Sequence, residues 1–127
     1  MKYLDYQTLL GLHITMMRDL MGEPYYGVLN KGLLESALSR PMQAANYESA
    51  DMFQQAAYLF QGLLMNHGFV QGNKRSAYLS LEWFLSNNGG YKIKASDDEI
   101  VDFCVLAENE KWSIKKIEKW LRKNVDY

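Results

Sequence analysis

Apolar residues recur at spacings of three and four along most of this 127-residue chain, the periodicity of helices that bury one face. Asp5 can cap a first helix in which Leu9, Leu12, Met16 and Leu20 share a face, and Gly22-Glu23-Pro24 ends it. Gly32 to Ser39 reads as a short second helix stopped by Pro41, and Pro41 to Tyr47, without clear periodicity, as a connecting loop. Ser49 or Asp51 caps a third helix whose stripe of Phe53, Ala56, Ala57, Phe60, Leu63 and Leu64 is wide enough for a central position. Asn66-His67-Gly68 ends it, and a helix from Lys74 to Leu85, with Ala77, Leu81, Phe84 and Leu85 on one face, returns along it as an αα-hairpin. Beyond the stop Asn87-Asn88-Gly89-Gly90, Ser96-Asp97-Asp98-Glu99 is a capping box for a helix through Ala107. Trp112, Ile114, Ile117, Trp120 and Leu121 define a last amphipathic helix. The pattern predicts an all-α chain, a compact bundle of about six helices with a central hairpin.

Composition narrows this picture. With 48% hydrophobic residues, residues 1–127 can enclose one real core and are too few for two comfortable ones, so one domain is expected. Fourteen basic and fifteen acidic residues leave a net charge of −1, which gives no global field for holding nucleic acid. The run Lys115, Lys116, Lys119, Arg122 and Lys123 reads as the wet face of the last helix. Cys104 is the only cysteine and lies in an apolar run, which excludes an internal disulfide and suits a reducing cytoplasm. No leader-like N-terminus and no long apolar run is present, so a soluble cytoplasmic protein with no membrane partner is expected. His13, on the first helix's apolar face, reads as a packed core histidine, and two histidines without a cysteine or carboxylate cluster make no zinc site.

The chemistry concentrates in His67-Gly68-Phe69-Val70-Gln71-Gly72-Asn73-Lys74-Arg75, just ahead of an apolar helix. A helix start leaves backbone N–H groups unpaired and partly positive, so a glycine approach makes a seat for an anion. Lys74 and Arg75 add positive charge at the end where cations do not help a helix, and an anion would resolve that conflict. His67 is the side chain suited to take a proton near neutral pH. Phe69 reads as the anchor of the loop, and Asn73 as a helix cap that also touches phosphate or orders the loop. The plainer readings are a helix-ending histidine and two solvated surface cations.

That string resembles the signature of the Fic/Doc family, His-x-Phe-x-(Asp/Glu)-(Gly/Ala)-Asn-(Gly/Lys)-Arg, and Lys74 matches its Doc branch, the death-on-curing toxins of toxin–antitoxin pairs. The resemblance extends to Tyr3-Leu4, His13, Gly32 to Leu38 with Arg40-Pro41, Ala56-Ala57 and Phe84-Leu85. It implies ATP and Mg2+ as cofactors, His67 as the general base, and phosphates held by Gly72, Asn73, Lys74 and Arg75. It implies phosphoryl transfer to a Ser/Thr hydroxyl of a protein, translation elongation factor Tu in the Doc branch, which halts translation. The broader Fic proteins transfer AMP instead, but usually carry a second arginine where this chain has Tyr78. In the family the segment corresponding to Pro41–Tyr47 resembles a flap that pairs with the target. Gln71 stands where the family has an acidic magnesium ligand, and a neutral amide binds a hard cation weakly. Either nucleotide phosphates and water hold the metal, or the chain is a catalytically impaired pseudoenzyme. No inhibitory Ser/Thr-x-x-x-Glu-Gly/Asn string is present, so a separate Phd-like antitoxin is the expected regulator.

Overall fold

In a computed structural model, which describes residues 1–127, the chain is helical almost throughout. Helix α1 (Tyr6–Ile14) begins at Asp5, whose carboxylate accepts from Thr8 N–H at 2.8 Å, and runs directly into a π-helical stretch, Thr15–Leu20. The wider π turn rotates the apolar face, so Met16 and Met17 are buried while Leu20 stands 77% exposed. Leu20 therefore leaves the face that even helical spacing assigns to it.

Helix α2 spans Lys31–Glu48 without a break, and Pro41 lies inside it. The expected stop at Pro41 and the loop from Pro41 to Tyr47 are both corrected here. Proline removes one backbone bond, at about 3 kcal/mol in a helix interior. Leu34, Ala37, Pro41 and Ala44 nonetheless form a buried stripe at spacings of three and four, and α2 packs along α3 through it. Burial of the ring offsets the missing bond, and the helix ends only at Ser49, in the left-handed region at φ 55°.

Helix α3 (Met52–Asn66) starts at Asp51, which exchanges hydrogen bonds with Gln54 in a capping box. Ala56, Ala57, Phe60 and Leu64 on it are fully enclosed, which makes it the centre of the bundle. Helix α4 (Asn73–Asn87) returns along α3 and contributes Ala77, Leu81, Phe84 and Leu85 to the same core. Helix α5 (Asp97–Asn109) is capped by Ser96 and Glu99, and α6 (Ile114–Asn124) by Ser113. Phe103 of α5 stacks on Trp120 of α6, with ring centres 3.8 Å apart, and lies 4.8 Å from Phe60, which ties the last two helices to α3. A short antiparallel pair, β1 (Lys92–Ile93) with β2 (Val125–Asp126), clasps the chain end to the turn after α4. The fold is all-α apart from that clasp, and no helix is long and apolar enough to cross a membrane.

Candidate functional site

The hairpin between α3 and α4 sets the geometry of the site. His67 ends α3 in the left-handed conformation, φ 51° and ψ 47°, which turns its ring outward. A Cβ on Gly68 would fall 2.5 Å from Leu34 Cδ2, so only glycine lets the loop lie flush on the start of α2. Phe69 is buried, and Asn73 clamps it: Oδ1 accepts from Phe69 N–H at 3.0 Å while Nδ2 donates to Phe69 O at 3.1 Å. Asn73 is thus not the cap of α4, and its amide orders the loop. Gly72 is the cap, at φ 76°, a conformation that glycine adopts without strain.

A strap from Gly22 to Asn30 runs beside this loop and occupies the flanking role expected of Pro41–Tyr47. Leu29 N–H and Asn30 N–H both donate to Gly68 O, and Val70 N–H donates to Gly27 O. The Gln71 amide nitrogen donates to Tyr25 O. Behind strap and loop sits His13, fully buried and stacked on Phe69 at 3.8 Å. Its Nε2 accepts from Gly27 N–H at 3.0 Å, so its proton sits on Nδ1 and is donated to Ser76 Oγ at 2.9 Å. Burial pulls its pKa down to about 4. One histidine therefore joins α1, the strap, the loop and α4.

The start of α4 differs from every other α-helix start in the chain. Asp5, Asn30, Asp51, Ser96 and Ser113 each accept from their own first turn, whereas Gly72 has no side chain to do so. The first backbone bond of α4 is Ser76 N–H to Gly72 O, which leaves the N–H groups of Asn73, Lys74 and Arg75 open. Arg75 meets no carboxylate, only Met21 Sδ, a weak acceptor. Lys74 Nζ lies 3.0 Å from Glu108 Oε1, and His67 Nε2 lies 3.2 Å from Glu108 Oε2. Glu108 comes from the end of α5, and sequence reasoning missed it because nothing local to that helix end points to a histidine so far away in the chain. Beside Lys74 and Arg75, a largely apolar cavity of about 470 Å³ opens between the π-helical stretch, α4 and α5, lined also by Met16, Tyr78, Ile100 and Cys104. Burial, and then Glu82, raises the Tyr78 pKa, so the phenol stays protonated; burial likewise pushes the Cys104 thiol up to about 11.

The residues around Gln71 do not fit a magnesium ion. Its amide nitrogen is committed to the strap, its remaining oxygen is neutral, and no group of three His, Cys, Asp or Glu side chains is arranged to hold a metal. A hard divalent cation prefers carboxylate and phosphate oxygens. Positive charge in this site is carried by Lys74, Arg75 and backbone N–H groups, and the carboxylate present, Glu108, is engaged with Lys74.

The model of the Fic/DOC family matches residues 3–85, from just before α1 to within α4. A segment of 64 residues is 39% identical to Toxin Doc of Mycolicibacterium smegmatis (strain ATCC 700084 / mc(2)155). That match covers 49% of this chain and 49% of the relative, so it spans about half the length of each. Glu108 lies beyond the family match.

Proposed function

The chain belongs to the Fic/DOC family, and from that membership we propose that it is a Doc-like toxin which transfers the γ-phosphoryl group of ATP to a Ser/Thr hydroxyl of a protein. The observation that carries this reading is the exposed His67 joined through Glu108 to Lys74 at the one α-helix start that lacks a side-chain cap, with Arg75 next in the chain. His67 takes the proton as the hydroxyl oxygen attacks the γ-phosphorus. A new O–P bond forms, the bond to the β,γ-bridging oxygen breaks, and ADP leaves with the electron pair. There is little covalent work for the protein here, and catalysis rests on placement and on stabilising the phosphoryl oxygens. The N–H groups of Asn73 to Arg75, with the two cations, serve that purpose. Exposed Tyr25 and Leu29 of the strap and Val70 of the loop offer apolar footing for the target segment. By family resemblance the target is translation elongation factor Tu and the inhibitor a Phd-like antitoxin.

One observation favours a second reading. Because Gln71 is engaged with the strap and supplies no charge, the chain would be a slow or impaired member that still binds nucleotide. Incubation of the protein with ATP and a purified target, followed by intact mass, tests both. A gain of about 80 Da marks phosphoryl transfer and about 329 Da AMP transfer, the masses of the groups added. Loss of the signal in His67→Asn ties it to this site. No gain with either protein, together with retained ATP binding, selects the impaired reading.

A further inference from the structure

We propose that Glu108 is the positioning residue that decides which imidazole nitrogen of His67 acts as the base. Its carboxylate reaches between the two working side chains of the motif, Oε1 on Lys74 Nζ and Oε2 toward His67 Nε2. The Glu108 side chain is only 16% exposed, and Oε2 is enclosed with no hydrogen bond as the ring stands. An enclosed carboxylate oxygen left unpaired is costly, and a carboxylate can only accept. The donor that faces it is His67 Nε2, 3.2 Å away on a ring with room to turn. The proton of neutral His67 therefore resides on Nε2, and Nδ1, which has no partner in the chain, holds the lone pair that takes a hydroxyl proton. Lys74 offsets the carboxylate's charge, so Glu108 accepts from the neutral ring and orients it while its own charge is paired with Lys74. A carboxylate behind an imidazole fixes tautomer and orientation by the same logic in hydrolytic triads.

The isosteric variant Glu108→Gln makes this sharply testable. Lys74 can only donate, so the amide oxygen of Gln turns to Nζ and its NH2 group faces His67 Nε2. That nitrogen must then accept, and the ring proton moves to Nδ1. The chain has only two histidines, and His67→Asn identifies the signals of His67. Nitrogen-15 NMR of the ring, recorded well above the usual histidine range, is expected to show the proton on Nε2 in the wild type and on Nδ1 in Glu108→Gln. Adding Lys74→Met frees the amide oxygen and returns the proton to Nε2. The same tautomer in wild type and Glu108→Gln, or a wild-type proton on Nδ1, overturns the inference.

The kinetic consequence rests on His67 being the base in the proposed transfer. There Glu108→Gln lowers kcat about 100-fold, on the scale of general-base catalysis, with KM for ATP changed by no more than about threefold. A variant that raises kcat would instead make Glu108 an inhibitory contact and overturn the proposal. If the tautomer result holds but the wild type transfers nothing, the transfer reading fails and the Glu108 assignment stands.

Discussion

The two histidines of this chain mark two regions built in opposite ways. Around His13, α1, the strap, the motif loop and α4 close until both ring nitrogens are bonded and Phe69 covers the ring face. Around His67, the helix ends in a left-handed residue, the ring projects outward, and only Glu108 stands near one nitrogen. The contrast separates a histidine that holds a site together from one that can work in it. Burial with complete bonding keeps the first neutral near pH 7, while exposure with an unbonded nitrogen leaves the second open to an incoming group.

The largest effect expected from breaking this contrast is chemical. His67→Asn, which tolerates the left-handed backbone, should lower transfer by about 10²- to 10⁴-fold with little change in melting temperature, as read by target phosphorylation and thermal unfolding. His13→Ala should act in the reverse manner: a cavity plus an unpaired Gly27 N–H and Ser76 hydroxyl cost about 3 kcal/mol in urea unfolding.

Acid should act on His13 as well. Its pKa falls from 6.5 to about 4 on folding, so the folded state keeps it neutral while the unfolded chain takes up the proton first. The stability it contributes is complete above pH 6.5 and is lost progressively as pH falls toward 4, about 3 kcal/mol in all. His13→Asn should flatten that part of the pH profile of urea midpoints. Among the smaller effects, Arg75→Ala should weaken ATP binding about tenfold, and Lys74→Ala less, because Lys74 already shares its charge with Glu108. Smallest of all, Gln71→Glu cannot donate to Tyr25 O. It should speed amide exchange at Val70, Leu29 and Asn30 several-fold, about the loss of one exposed hydrogen bond, and make ATP affinity respond to magnesium.

Much of this was legible in the residues themselves. The apolar stripe of α3, the capping box at Ser96 and the glycine approach to α4 are local patterns, and the structure forms them as local physics requires. Pro41 misled because a proline normally ends a helix, yet Leu34, Ala37, Pro41 and Ala44 already had helical spacing, and tertiary burial decided the outcome. Leu20 misled because a π turn leaves no mark in an even spacing. Asn73 reads as a helix cap, but its amide bonds the Phe69 backbone, a contact set by how the loop closes. The strap and Glu108 were not legible at all, since each reaches the motif across the fold from a distant part of the chain.

The central claim is that His67 and the start of α4 move a phosphoryl group from ATP to protein. Its most direct test incubates the chain with a bacterial lysate and ATP radiolabelled at either the γ or the α phosphate, alongside His67→Asn. The account predicts protein labelling from the γ position alone, abolished in the variant. Labelling from the α position, or labelling that survives His67→Asn, would contradict it.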